Sequence, residues 1–323
     1  MKRKHSVLLG WAAFVGAVMV PLQSWAAYPD RPITIVVPYP PGGPADLVAR
    51  PLSVGLQKTL GVPIVLQYKP GAGGQIALRH ARRADNDGYT LVLVLAAYAI
   101  GPLLKRTPDY DPANDFEPVS LIAKQPLVLY TSTSSPLNST ADLIARARAY
   151  PGTVAIASSG YGNTSHLAVE LLSQVAGIQL THVPYHGGIQ SISAVISGDV
   201  DAAFAGSDSL RYVPEGKIRA LAVAARNRLA ISPGTPTFAE SGLPDMSVDG
   251  WYGLLAPRGT TLHRINKLTR AVQNAVDTAS FHEALSRYGF TLSYEGPDGF
   301  RSFIRQEFMR WGKLTRAKGL ATD

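Results

Sequence analysis

Apolar and polar positions along this chain fall into short blocks that predict strands and helices in alternation. Ile33, Ile35, Val36 and Val37 are apolar and β-branched, the pattern of a buried strand. Pro38, Pro40, Pro41 and Pro44 around Gly42-Gly43 then forbid regular structure, so the chain must loop. Pro44 suits a first helical position and Asp46 a first turn, while Leu47, Val48 and Leu52 give the next helix an apolar side. The order repeats with a strand over Pro63–Tyr68, the loop Lys69–Gly74 and a helix through Ile76, Leu78 and Ala81. A fully apolar strand follows over Tyr89–Ala97, and the turn-rich stretch Asp109–Ser120 closes this first run.

A second run begins near Pro126, with strands predicted over Leu127–Thr131, Val154–Ala157, Val200–Ala205 and Ile218–Ala224. Its helices are Ser139–Tyr150, one carrying Leu167, Leu171, Leu172 and Val175 up to Gly177, and one carrying Ile192, Val195 and Ile196 up to Gly198. The third run has a strand over Trp251–Ala256 and helices near Leu262–Val276 and Ser280–Tyr288. A last helix, from Phe300 to about Ala317, lines up Phe300, Phe303, Ile304, Phe308, Trp311 and Leu314 as one apolar stripe. Alternating strands and helices predict layered α/β structure, and the runs span residues 27–125, 126–249 and 250–323.

Residues 1–26 stand apart from this pattern. Lys2, Arg3 and Lys4 precede an apolar core from Leu8 to Val20, and Ser24-Trp25-Ala26 offers small residues for cleavage before Ala27. That core is short for a membrane span, and no later apolar run has that length. The expectation is a cleaved signal peptide and an exported, soluble protein; a retained signal would act as an anchor. The whole chain has 31 basic and 23 acidic side chains; without the three basic residues of the signal it has 28 against 23, a net +5. The charge is spread out, so no nucleic-acid footprint is expected, although acidic ligands are mildly favoured. Cysteine is absent, which excludes disulfides, thiol nucleophiles and thiolate metal sites. The core alone must hold roughly 297 mature residues together, enough for two domains.

The candidate chemistry sits where strands run into helices. A Gly-rich loop ahead of a helix N-terminus aims unpaired N–H groups and the positive end of the helix dipole at one spot. Pro40–Asp46 fits such a carboxylate seat, or is a turn that merely connects. Gly71–Gly74 and Ser158–Ser165 are comparable, and Ser158, Ser159, Asn163, Thr164 and Ser165 can donate to an anion without adding charge. In open α/β sheets such junctions gather at the carboxyl ends of the strands. Three of them, divided between two runs, suggest two lobes facing across a cleft.

Other chemistries fit less well. Gly71-Ala72-Gly73-Gly74-Gln75-Ile76 approaches a dinucleotide fingerprint, but Ile76 stands where close helix packing needs Gly or Ala. No G-x-S-x-G elbow or H-E-x-x-H occurs, and the adjacent Ser165 and His166 do not face each other on a helix. His182 and His186, four apart on a strand and turn, lack chelating geometry; His182 reads as a satisfied loop residue, while His186 beside Gly187-Gly188 reads equally as lining a cleft. Asp109, Asp111 and Asp115 hint at calcium, but Pro112 and the missing sharp-turn Gly point to a structural turn. No cofactor or metal is expected.

The segments YPDRPITIVVPYPPGG with its following Asp46, KPGAGG, DGYTL, YDPANDFEPV, ASSGYGNTSHLA, HVPYHGG, GDVDAAF, GKIRALAV, PTFAESGLP and WYGLLAP together resemble one family. It is that of the exported substrate-binding proteins of tripartite tricarboxylate transporters, the Bug proteins, and the resemblance covers nearly the whole mature chain. It implies a type II periplasmic binding protein fold: two α/β domains with a ligand cleft between them, the part from 250 returning to the first domain. It further implies a monomeric periplasmic receptor, not an enzyme, for a small carboxylate, working with the membrane subunits of such a transporter. An exported hydrolase-like enzyme acting on a small acid is the alternative. The resemblance carries ligand contacts to Tyr39, Pro41, Gly42 and Gly43, to Ala72, Gly73 and Gly74, and to Ala97. In the second domain it carries them to Ser158, Ser159, Asn163, Thr164 and Ser165, to Tyr185, His186 and Gly187, and to Ser207 and Asp208. His186 stands where the family more often has Lys or another residue, and Gln190 where a smaller residue or Pro is frequent, so both bear on ligand identity.

Overall fold

The computed structural model describes residues 28–321; the signal-peptide reading of residues 1–26 lies outside them. Strand β1 (Ile33–Val37) is almost wholly buried, as its β-branched run requires. Helix α1 (Pro44–Leu60) opens with Pro44 and Asp46 in its first turn and ends at the left-handed Gly61. Strand β2 (Ile64–Tyr68) is an edge, half-buried on alternate residues. Helix α2 (Gln75–Arg82) and strand β3 (Thr90–Leu95) complete the unit, and β1 pairs in parallel with both β2 and β3. The third strand stops at Leu95. Ala97 instead opens a one-turn helix, α3 (Ala97–Ile100), because the N–H groups of Ala99 and Ile100 both turn back to the Ala96 carbonyl.

The largest departure from the sequence pattern is β4 (Phe116–Ser132), which absorbs both the end of the turn-rich stretch and the strand expected to start at Leu127. Pro118 and Pro126 interrupt the pattern but not the strand. Pro118 lies at a register shift, and Pro126 is the last residue to pair before β4 changes partners. Helices α4 (Thr140–Ala149), α5 (Thr164–Ala176) and α6 (Gly188–Ser197) alternate with strands β5 (Ala155–Ser158), β6 (Thr181–Pro184) and β7 (Ala202–Gly206). Ser139 caps α4 and Asn163 caps α5, each accepting a backbone N–H. Strands β8 (Ile218–Val223) and β9 (Asp249–Pro257) follow, then helices α7 (Leu262–Val276) and α8 (Ala279–Ser286). Strand β10 (Thr291–Glu295), not expected from the sequence, separates these from the final helix α9 (Pro297–Ala317).

Pairing divides the strands into two lobes joined through β4. Its first part, Phe116–Pro126, pairs antiparallel with β9 and β10; its second part, Leu127–Ser132, pairs with β7 and β8. In one lobe β9 joins the parallel set β1, β2 and β3; in the other β5 lies parallel between β6 and β7. The second crossing runs beside the first: Val248, just ahead of β9, accepts from Leu127 N–H and donates to the Ala224 carbonyl. The return from residue 250 thus supplies β9, β10 and α7–α9, whose pairing and packing partners lie mainly among β1–β4 and α1.

Helix α9 closes the core over this junction. Trp251 is 1% exposed and meets the rings of Phe300 and Phe303 edge-on at 5.7 and 5.5 Å. Its indole N–H and that of Trp311 both donate to Glu307 Oε2, at 3.1 and 2.9 Å.

Candidate ligand-binding site

Parallel strands in one lobe deliver their carboxyl ends to one edge, and each end leads into a loop that the sequence marked. From β1, β2 and β3 come residues 38–43, 69–74 and 96–98; from β5, β6 and β7 come 158–165, 185–187 and 206–208. Tyr39, Gly73, Gly74 and Ala97 meet in one recess, lined also by Pro38, Leu78, Leu93 and Tyr98. Pro41, Gly42, Ala72 and Gly73 are exposed. Ala72 adopts φ 49°, a left-handed conformation unusual for a residue with a side chain, so this loop holds a backbone shape that extended chain does not offer.

Asp46 sets the shape of the neighbouring loop. Its carboxylate turns back to accept the Gly42 N–H at 2.8 Å, takes Arg50 Nε at 2.7 Å and accepts the Tyr68 hydroxyl. Burial pushes its pKa up, but the hydrogen bonds from Tyr68, Gly42 and Arg50 outweigh this and hold it below the ordinary 3.8. Asp46 is therefore a brace for the loop.

Across the cleft, the hydroxyl loop is a closed network. Ser165 Oγ accepts Ser159 N–H at 2.9 Å and donates to Asn163 Oδ1 at 2.8 Å, while Asn163 Nδ2 donates to Ser159 Oγ at 3.1 Å. Asn163 Oδ1 also accepts the His166 N–H, capping α5. The Thr164 hydroxyl has no part in this network. Ser158 is fully buried, its hydroxyl bonded to His182 Nε2 at 2.6 Å. Behind it the His182 and His166 rings stack at 4.1 Å, with Tyr161 4.5 Å beyond His166. Burial lowers the pKa of His182 to about 4; burial and the neighbouring His182 lower that of His166 to about 3, so both rings are neutral at pH 7.

The remaining positions divide. Tyr185 is half-buried and its N–H bonds the Ser158 carbonyl, tying the two loops together. His186 is exposed; its N–H donates to Gln190 Oε1 at 2.9 Å, so Gln190 caps the turn into α6. Gly187 holds φ 123°, where a side chain would be strained. Ser207 is buried and donates to the Tyr288 carbonyl in the other lobe at 2.8 Å, while Asp208 Oδ1 accepts Gln125 Nε2 at 2.6 Å. Gly162 faces Leu104 of the opposite lobe so closely that a Cβ would sit 2.6 Å from it. Among the described residues no hydrogen bond joins the Pro41–Gly43 loop to the Ser158–Ser165 loop.

This geometry can be set beside known proteins. The model of the tripartite tricarboxylate transporter family receptor, TctC, matches residues 48–320. The chain belongs to this receptor family. Among solved structures, the periplasmic binding protein BugD is 30% identical with a TM-score of 0.83, covering 92% of this chain and 100% of its own. MatC from Rhodopseudomonas palustris with bound malate is 30% identical, TM-score 0.81, over 89% and 99% of the two chains. Rpa4515 from R. palustris with adipate is 32% identical, TM-score 0.85, over 91% and 99%.

The TctC receptor fold is that of the periplasmic binding proteins, two α/β lobes about a ligand cleft. Its members and structural neighbours are solute-binding receptors, not enzymes, which removes the exported-hydrolase alternative. Sequence reading of this receptor missed Gln125 and Tyr252, because strand residues at a crossing carry no loop signature. It did note Asp46 as a first-turn residue and His182 as a satisfied loop residue; in the structure Asp46 lies in the first turn of α1 and His182 bonds the Ser158 hydroxyl.

Proposed function

We propose that this receptor works in the periplasm, captures one small carboxylate between its lobes and presents it to the membrane components of a tripartite tricarboxylate transporter. One observation carries the reading: helices α1 and α5, one from each lobe, both begin at the cleft edge behind Gly or hydroxyl loops. The loops Tyr39–Gly43, Ala72–Gly74, Asn163–Ser165 and Tyr185–Gly187 contain no Lys or Arg, so backbone N–H groups, hydroxyls and bridging waters do the holding. The solved relatives with malate and adipate support the ligand class. The basic and apolar N-terminal residues support export, and no helix among the described residues is long and apolar enough to cross a membrane.

The test is a thermal-shift screen of small carboxylates on refolded, ligand-free protein. An acid at a hundred times its dissociation constant adds roughly 2.7 kcal/mol of stability. Mass spectrometry then recovers it unchanged; a chemically altered acid would contradict a receptor. With the best acid in hand, replacing Ser159 and Thr164 together by Ala weakens binding by about 1–3 kcal/mol, through lost hydrogen bonds to a charged group. Calorimetry showing equal affinity would remove the α5 loop from the site.

A further inference from the structure

Near the crossing between the lobes lies a buried carboxylate whose side-chain hydrogen bond comes from one amide. Asp208 follows β7 at the same edge as Ser158 and Tyr185, and is 8% exposed. Its Oδ1 accepts Gln125 Nε2 at 2.6 Å, and Gln125 Oε1 accepts the Tyr252 hydroxyl, also at 2.6 Å. Tyr252 thereby holds the amide with its N–H group toward Asp208. The arrangement is built in: a Cβ on Gly206 would come within 2.4 Å of Gln125 Nε2 and 2.5 Å of Asp208 Oδ1. Gln125 and Tyr252 lie on the two crossing strands and Asp208 two residues past β7, so the group spans the crossing between the lobes.

No Lys or Arg forms an ion pair with Asp208 among the described residues. The nearby Arg211 is exposed, its guanidinium 4.8 Å over the Tyr212 ring and bonded to the Tyr212 hydroxyl. Burial raises the pKa of Asp208, although Arg211, the Gln125 hydrogen bond and the residue's own backbone N–H pull the other way. Asp208 follows a strand that ends at the same edge as the loops ahead of α5 and α6, so a ligand whose carboxylate rests at the α5 N-terminus can extend its other end toward it. A second carboxylate there would meet like charge in a poorly solvated place, whereas a donor would complete the coordination of Asp208.

We propose that Asp208 selects the ligand. The preferred acid carries an ammonium or hydroxyl donor beside its carboxylate, and that donor rests on Asp208, so an amino or hydroxy acid is favoured over a plain dianion of equal length. This rests on the carboxylate-receptor reading above. The experiment is calorimetric titration of refolded protein, wild type and Asp208→Asn, with length-matched probes: succinate, malate and aspartate; glutarate and glutamate; adipate and 2-aminoadipate. Wild type should bind the donor-bearing member of at least one set at least tenfold more tightly than its dianion. Asp208→Asn should lose tenfold or more for that probe while keeping or gaining affinity for the dianion. Malate against aspartate shows whether hydroxyl or ammonium is the donor. A wild type that binds a dianion as tightly as its donor-bearing partner overturns the selection and leaves the receptor reading standing, whether or not Asp208→Asn folds. If no acid of any set binds, the receptor reading itself falls, and this inference with it.

Discussion

Replacing Trp251 with Ala is expected to lower folding stability by about 3–5 kcal/mol, the usual cost of emptying a large aromatic site in a closed core. The residue is 1% exposed, two phenylalanine rings pack edge-on against it, and its indole shares Glu307 with Trp311. Alanine leaves a cavity beneath α9 and takes one donor from a carboxylate that is itself only 7% exposed. Gly253, two residues along β9, shows how closed the site is: a Cβ there would lie 2.1 Å from the Phe300 ring. Trp251→Phe keeps most of the ring contacts and should recover over half of the loss. Denaturant unfolding of the three proteins checks this, and a loss under 1 kcal/mol for Ala would mean that α9 does not close the core here.

Replacing Asp46 with Ala is expected to weaken acid binding by about tenfold or more, near 1.4 kcal/mol, with no ligand contact removed. Asp46 accepts from the Pro-Gly-Gly loop, from α1 and from β2 at once, so alanine frees the Gly42 N–H and releases the loop from its helix. The brace also has a signature in pH. Its folded pKa lies below the ordinary 3.8, so its stabilisation is complete above about pH 4 and fades as pH falls through the lower folded value. The stability difference between wild type and Asp46→Asn should therefore hold from pH 7 to about 5 and shrink below 3.8. A difference that stays constant through pH 3 would mean that charge plays no part in the brace.

Much of this fold was legible because its strands are short, apolar and separated by Pro and Gly. Ile33–Val37 and the start of α1 at Pro44 stand where the pattern puts them. The exceptions share a cause, long-range pairing outweighing local preference. Pro118 and Pro126 read as breaks, yet β4 carries them at a register shift and at a change of partner. Residues 291–295 carried no predicted strand, but pair with β4 to form β10. The loops of the candidate site could be read because Gly, Ser and Asn are needed where a strand meets a helix N-terminus. Their supports could not. Gln125 meets Asp208 across 83 residues of chain and Tyr252 across 127, separations that no local spacing reports.

A crystal structure of the protein with the acid that stabilises it most tests the central claim directly. The account places one carboxylate of that acid between the first turn of α1 behind Gly43 and the Asn163–Ser165 start of α5, within hydrogen-bond distance of both lobes. An acid seated instead in the surface groove between α1 and α8, beside Arg50, Glu283 and Arg287, would contradict it.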